Sequence, residues 1–546
     1  MKLVIIGGVA GGASAAARAR RLSEDAEIVL FERGSDPSFA NCGLPYYIGG
    51  EIRERNKLLV APIELLVNRL ALDVRVRTEV IAIDRAAKTI TARNLATGEE
   101  YQEAYDKLIL SPGARPFKPP IPGIELPGVH TLRDLSDADR LQELARKSRR
   151  AVILGGGFIG LEMAENLVGL GIETTLIELA DQIMPPLDRE ITMPIQRELT
   201  SRGIELKLSN SITEITSGET GLRVKLKSGQ ELPTDLVLIS VGVRPENQLA
   251  EQAGLPLGKR GGIQVNEHMQ TSDPDIYAVG DAVETYDFMT LQPTQVPLAG
   301  PANRQGRLAA DHIFGREARY RGTQGTAIVG LFGKTAAMTG LSEKAAHRLG
   351  LEYKCAYVHP NHHAGYYPGA ETMTLKMLYS PQDGRILGAQ GVGGAGVDKR
   401  IDVIATAIQA GLTVFDLEEI ELCYAPQFGS AKDPVNMLGF VASGELRGDH
   451  PQVRVDQLES STWSEAQVLD VRTPREFAAG HIPHALNISV DELRQRLTEL
   501  PRDKPIVAYC QVGMRGYLAT RILLQHGFSV VNLSGGYTTW RMFHPA

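Results

Sequence analysis

Two of the four cysteines stand where sulfur can react. Cys42 lies in SFANCGLPYYIGG at 38–50, with no second cysteine four or five residues away, so it cannot form a neighbouring redox disulfide and its sulfur partner must be external. SFAN before it and Gly43-Leu44-Pro45 after it place it where a short helix starts, where free N–H groups lower a thiol pKa toward reactive thiolate. Cys510 ends the apolar run PIVAY. The loop Cys510-Gln511-Val512-Gly513-Met514-Arg515 is expected to aim successive backbone N–H groups at the sulfur, a nest that stabilises a thiolate and then a persulfide. Arg515 opens the next helix and adds positive charge, while Asp470 and Arg472 brace the loop. Cys355, in an expected strand, and Cys423, just before Tyr424, read as packing residues. HPNHH at 359–363 lacks a second ligand cluster, and no metal is expected.

Two glycine turns supply the rest of the chemistry. GGGFIG places Gly155, Gly157 and Gly160 in the GxGxxG pattern between a strand and a helix, and Glu178 ends the next strand. The first glycine makes the tight turn, the second lets backbone approach a pyrophosphate, and the third lets helix and strand pack closely. The helix N-terminus favours the phosphates. Glu178 would bind the adenosine ribose hydroxyls and repel a 2′-phosphate, which favours NADH over NADPH. In GGVAGG, Gly7 and Gly12 fill the outer places while Val9 holds the middle one; Glu32 ends the following strand, and Asp281 in IYAVGD reaches the ribityl or pyrophosphate end of a second dinucleotide. FAD at the first turn and NADH at the second is the natural pairing, with hydride passing to the flavin and electrons leaving it toward sulfur.

The elements that position these groups are legible in outline. Residues 2–6, a helix rich in alanine and 27–32 form one βαβ unit, and 151–178 form another. The strand before Asp281 comes after the second unit closes, so the first domain is interrupted by an insertion. At 546 residues the chain exceeds a single domain. Its net charge of −7, from 58 Lys and Arg against 65 Asp and Glu, gives no polyanion-binding surface, and nucleic acid is excluded as the expected partner. Sparse cysteines fit a reducing compartment, and the absence of a signal segment or an apolar run near 18 residues implies a cytoplasmic protein with no membrane partner.

The motif order GGVAGG, SFANCG, LSPGARP, GGGFIG, IYAVGD, VPLAGPANRQGR, GYYPGAE and YAPQFGSAKDPVN resembles the coenzyme A disulfide reductases and NADH-dependent persulfide reductases, single-cysteine flavoprotein disulfide reductases, over residues 1–440. VLDVRTPREFAAGHIPHALNI and PIVAYCQVGMRG resemble a rhodanese domain. The resemblance implies an α/β chain with Rossmann-like FAD-binding (1–115 and 245–320) and NADH-binding (116–244) domains, an α+β dimerisation domain (321–445), a linker (446–460) and an α/β rhodanese domain (461–546). It implies a homodimer in which Tyr367 and Tyr424 of the partner subunit flank Cys42, and coenzyme A contacts from Ser38, Asn41, Asn303 and Lys432. Ser14, Arg18 and Arg21 share a face of the first helix that would meet the coenzyme A diphosphate. Arg69-Leu70 stands where staphylococcal-type relatives are expected to carry a lysine, which implies broader substrate range. The expected activity is reduction of a persulfide or disulfide of coenzyme A or a similar thiol through Cys42, with Cys510 handling sulfane sulfur. Two alternatives stay open: an NADH oxidase or peroxidase cycling Cys42 through sulfenic acid, and a redox-sensing sulfur carrier.

Overall fold

The computed structural model describes residues 1–219, 221–458, 460 and 463–544. Thr220 of the expected NADH-binding domain, Glu459 of the expected linker, and Ser461, Thr462, Pro545 and Ala546 of the expected rhodanese domain lie outside the described residues. The chain divides into two compact units, Met1–Asp181 with Gly203–Gln324, and Gln182–Arg202 with Gly325–Ala546.

The first unit is built on two five-stranded parallel sheets. One runs Ile276–Ala278, Lys107–Leu110, Lys2–Ile6, Glu27–Phe31, Asp73–Arg75. The other runs Glu205–Lys207, Glu173–Ile177, Arg150–Leu154, Leu236–Ile239, Val129–His130. Their strands are near-continuous apolar runs because sheets of this kind are covered on both faces. Leu3, Val4 and Ile5 have no exposed surface. The helix Ala10–Arg20 turns Gly11, Gly12, Ala15, Ala16 and Ala19 inward. The helix Ala299–Ile313 lies so close to it that a Cβ on Gly306 would overlap the Gly11 carbonyl oxygen. Ala114–Pro116 and Val243–Pro245 pair antiparallel where the chain leaves and re-enters the first sheet's neighbourhood.

In the second unit, five antiparallel strands in the order Ala327–Leu331, Lys334–Gly340, Ile386–Gly393, Thr374–Tyr379, Lys354–Val358 form one sheet. Five parallel strands, Gln452–Val453, Val530–Leu533, Ile506–Tyr509, Gln467–Asp470, Leu486–Asn487, form the other.

Two expectations are corrected. The segment 446–460 is not a free linker: Gln452–Val453 is an edge strand of the C-terminal sheet, and Val453 and Val455 are buried in its core. Its polar composition misled because a two-residue strand is too short to show alternation. Gln182–Arg202, inside the expected NADH-binding span, belongs to the second unit, where Lys376 reaches Asp188 and Glu190. No described helix is long and apolar enough to cross a membrane.

Candidate active site

Both glycine turns have the same construction. Gly7 and Gly155 adopt φ of +96° and +112°, and a Cβ on either would collide with a carbonyl, of Ser111 or of Ser240. A Cβ on Gly12 would overlap the Gly7 oxygen, and one on Gly160 the Gly155 oxygen, so each helix rests directly on its turn. Glu32 accepts the Gly8 N–H at 2.8 Å and the Gly34 N–H at 2.7 Å. Glu178 accepts the Gly156 N–H at 2.7 Å and the Ala180 N–H at 2.9 Å. Gly157 faces open space at the head of the helix Phe158–Gly169. Val9, in the middle place of the first turn, is the N-cap of its helix.

Beside the first turn lies a cleft of about 690 Å³ lined by Gly7, Val9, Gly11, Glu32, Asn41 and Asp281 among others. Its volume, exposed backbone and acid at the strand end fit a dinucleotide. Asp281 sits in the short turn Gly280–Ala282, and burial raises its carboxyl.

Cys42 lies in a single helical turn, Asn41–Gly43, that runs into the helix Leu44–Ile48, and it keeps solvent access. Ser38, four residues before it, holds a left-handed φ of 53° while its N–H donates to the Gly8 oxygen at 2.7 Å, tying the cysteine segment to the first glycine turn. The expected lowering of the thiol does not occur in the chain itself. Surrounding packing, then the carboxylates of Glu162 and Asp281, push Cys42 upward against one favourable backbone hydrogen bond. The short helix that begins here offers too little dipole to outweigh them.

Sequence reasoning missed Glu162. It lies on the helix after the second turn, accepts a hydrogen bond from the Tyr46 hydroxyl at 3.3 Å, and has its carboxyl raised to about 6 by burial. Tyr46, four residues after Cys42, is itself pushed up by burial and Glu162. A Cβ on Gly49 would overlap the Asn166 side chain, so these two helices pack in close contact. The spacing Cys42 to Tyr46, one helical turn, was the available signal.

Ser14 donates to Asn303 Oδ1, and Arg18 donates to Asp311 Oδ1 at 2.8 and 2.5 Å. Arg21 falls just past the helix end and is exposed. The face expected to be free and basic is therefore partly neutralised by Asp311. Tyr367 and Tyr424 are exposed, as is Lys432. Tyr424 shares a hydroxyl hydrogen bond at 2.8 Å with Tyr366, a neighbour of Tyr367 that the sequence reading passed over, while Tyr367 stands edge-on to His363.

Cys510 directly follows the strand Ile506–Tyr509 and is 1% exposed. Gly513, at φ +109°, donates its N–H to the sulfur at 3.2 Å; among the described residues this is the one backbone donor found on it, fewer than expected. Arg472 is held by Asp470 and donates to Gln511 Oε1 at 3.0 Å, bracing the loop as expected. The loop also rests on the next helix: the N–H groups of Tyr537 and Thr538 donate to the carbonyls of Cys510 and Gln511. Arg515 does not present a free charge, because both its terminal nitrogens bind Glu476.

Cys355 is buried, and burial drives its thiol well above the usual range. Cys423 is exposed, which corrects its reading as a packing residue. His359 is buried with one ring nitrogen on Thr374 and the other on Thr539, at 2.9 and 2.8 Å, and burial lowers it to about 4. The carboxylates of Asp188, Glu190 and Glu343 converge, but the ammonium of Lys376 sits among them.

Residues 1–306 match the pyridine nucleotide-disulphide oxidoreductase family. The chain belongs to that family. Residues 326–433 match the dimerisation domain of these oxidoreductases, and 455–542 match the rhodanese-like domain. Among its relatives is a coenzyme A disulfide reductase of Staphylococcus aureus, 37% identical over 444 residues, 81% of this chain and 99% of that one. Among solved structures, reduced Bacillus anthracis CoADR-RHD has a TM-score of 0.98 at 49% identity, covering 100% of this chain and 98% of the other. A NAD-dependent persulfide reductase from A. fulgidus has a TM-score of 0.92 at 39% identity, covering 99% and 100%. This oxidoreductase is an α/β enzyme with two Rossmann-like sheets and a C-terminal rhodanese fold.

Proposed function

We propose that the chain is a homodimeric FAD enzyme that uses NADH to reduce persulfides and disulfides of coenzyme A, with Cys42 as the sulfur-attacking group and Cys510 as the acceptor of sulfane sulfur. The observation that carries this reading is a lone cysteine tied by Ser38 to one of two matching dinucleotide turns, in a chain that also keeps a cysteine-bearing sulfur loop. Relatives named for coenzyme A disulfide and persulfide reduction support the substrate class. Gly7, Gly12, Glu32 and Asp281 would hold FAD, and Gly155, Gly157, Gly160 and Glu178 would hold NADH. Bound there, the two cofactors supply an electron pair to the sulfur on Cys42.

Cys42 thiolate attacks the outer sulfur of a persulfide R–S–SH. The Sγ–S bond forms, the R–S–S bond breaks, and the electron pair leaves with RS⁻, which takes a proton. Two electrons then cleave the Cys42 persulfide to thiolate and hydrogen sulfide. A disulfide follows the same course through a mixed disulfide. Tyr367 and Tyr424, supplied by the second subunit, would donate the proton to the leaving thiolate. Ser14, Arg18, Arg21, Ser38, Asn41, Asn303 and Lys432 would contact coenzyme A, and Arg18 must first part from Asp311.

The test is anaerobic NADH oxidation with coenzyme A persulfide and with coenzyme A disulfide, for the wild-type enzyme and Cys42→Ser. Turnover with hydrogen sulfide release, lost in the variant, is expected. Activity that survives Cys42→Ser overturns the reading.

A further inference from the structure

Two cations border the Cys510 loop, and each is held by a carboxylate. Arg472 donates to Asp470 Oδ2 at 2.7 Å. Arg515, the second residue of the helix Met514–Gln525, donates to Glu476 from both terminal nitrogens, at 2.8 and 2.6 Å. Glu476 is itself fixed, since its Oε2 accepts the Thr473 N–H at 3.0 Å and the Thr473 hydroxyl at 2.8 Å in a capping box. Arg515 and Thr473 hold the Glu476 carboxyl down at about 2, so it stays ionised at every working pH. The four charges offset one another in pairs, and both terminal nitrogens of Arg515 are taken up by Glu476, although its guanidinium still lies within reach of the Cys510 sulfur. Next to this neutralised pair the surface turns apolar: Val512, Met514 and Leu518 are 39%, 59% and 49% exposed, and Met514 and Leu518 share one face of the helix.

We infer that Glu476 sets the class of sulfur donor at Cys510: by occupying Arg515 it disfavours donors whose sulfane sulfur is bonded to an oxyanion, as in thiosulfate, and leaves the loop to persulfides of aliphatic thiols that carry no charge beside the sulfur. This rests on the reading of Cys510 as a sulfur acceptor. Cys510 thiolate attacks the outer sulfur of R–S–SH, the Sγ–S bond forms as the R–S–S bond breaks, and RS⁻ leaves with the electron pair and is protonated by water. No oxidant or reductant is consumed. Thiosulfate would react in the same way with sulfite as the leaving group, but its dianion needs a cation that Glu476 withholds. Glu476 is a positioning residue here, acting through Arg515.

The experiment follows the gain of one sulfur atom on the Cys510 peptide by mass spectrometry after rapid quenching of the full-length FAD-loaded protein, with thiosulfate and with N-acetylcysteamine persulfide as donors. In the wild type the persulfide is expected to load Cys510 much faster. Glu476→Gln keeps the hydrogen bonds to Thr473 and removes the charge. It should raise the thiosulfate rate roughly ten- to hundredfold, the scale of one charge-assisted hydrogen bond, and so narrow the ratio between donors. Glu476→Asp keeps the charge and should leave thiosulfate slow. Equal loading from both donors in the wild type, or an unmoved thiosulfate rate in Glu476→Gln, or equal acceleration in both variants, overturns the inference while the acceptor reading stands. No loading from either donor overturns the acceptor reading and the inference with it.

Discussion

Replacing Lys376 with methionine withdraws an ammonium from among three carboxylates. Lys376 has no exposed surface, and its Nζ lies 2.7 Å from Asp188 Oδ2, 2.5 Å from Glu190 Oε1 and against Glu343 Oε1. Burial opposes the charge, but Tyr357, Glu190, Asp188 and Glu343 outweigh it and hold the lysine well above its usual value. Methionine keeps an unbranched side chain, one atom shorter, and leaves the acids without the ammonium. Among the described residues, Arg454 remains as a cation paired with the cluster, 3.8 Å from Glu343 Oε2. Breaking a buried pair in this way costs roughly 3 to 5 kcal/mol, which at about 2 to 4 °C per kcal/mol for a domain of this size is a fall of roughly 6 to 20 °C in unfolding midpoint. The loss carries a pH signature. Abandoned carboxylates have raised pKa values, so the folded variant binds protons more tightly than the unfolded chain. Its stability is then greatest below the ordinary carboxylate range and is lost as pH rises through the raised values. Calorimetry of the FAD-loaded enzyme should show a small deficit at pH 5 and the full deficit at pH 8, partly recovered by adding Asp188→Asn. A deficit that is the same at both pH values would refute the electrostatic account and leave only lost packing.

Gly12→Ala places a Cβ on the Gly7 carbonyl oxygen, and the purified variant should lack the flavin absorption band while remaining folded by circular dichroism. Gly535→Ala puts an L side chain at φ +68°, over the Thr539 hydroxyl and 2.9 Å from the Tyr357 Cβ. Because the next residue, Gly536, touches the Cys510 loop, sulfur loading of Cys510 should fall by about a hundredfold, the cost of an ångström-scale displacement, with NADH-dependent reduction at Cys42 retained. Glu162→Gln removes one of the charges that raise the Cys42 thiol, so the midpoint of its alkylation by iodoacetamide against pH should move lower; an upward move or none would count against that assignment. In the wild type the same rate profile should bend near pH 6, where Glu162 ionises.

The parts legible in the sequence were those whose signal is local. Strand, glycine turn, helix and terminal acid occur within about thirty residues at each nucleotide turn, and Glu32 and Glu178 do meet the backbone of their turns. What stayed hidden depends on partners far along the chain. Arg18 reads as a free cation until Asp311, 293 residues on, takes it up. Cys42 reads as an activated thiol until packing partly buries it and Glu162 and Asp281 are brought near. Arg515 reads as a bare positive charge because Glu476, 39 residues earlier, is a surface acid in any periodicity analysis. Residues 446–460 read as a linker because a polar stretch punctuated by Gly and Pro describes exposure, and says nothing about whether a two-residue strand finds an edge to pair with.

The Cys510 loop is braced from outside its own sheet. Tyr357, on the antiparallel sheet, donates to Glu190 at 2.8 Å and stands against Gly535, where any Cβ would press on it. His359, two residues on, bonds Thr539 on the helix that opens at Gly536. The N-terminal residues of that helix hold the Cys510 and Gln511 carbonyls. A continuous path of contacts therefore runs from the Lys376 charge cluster through Tyr357 and the Gly535 turn to the Cys510 loop. Contacts of this kind fix a loop's geometry only while the elements at both ends hold their places. The edge strand Gln452–Val453 strengthens the attachment, and a flexible tether would allow none of these contacts. The rhodanese fold is therefore an integral part of the second unit, and the geometry of Cys510 depends on the antiparallel sheet as well as on the residues of its own loop.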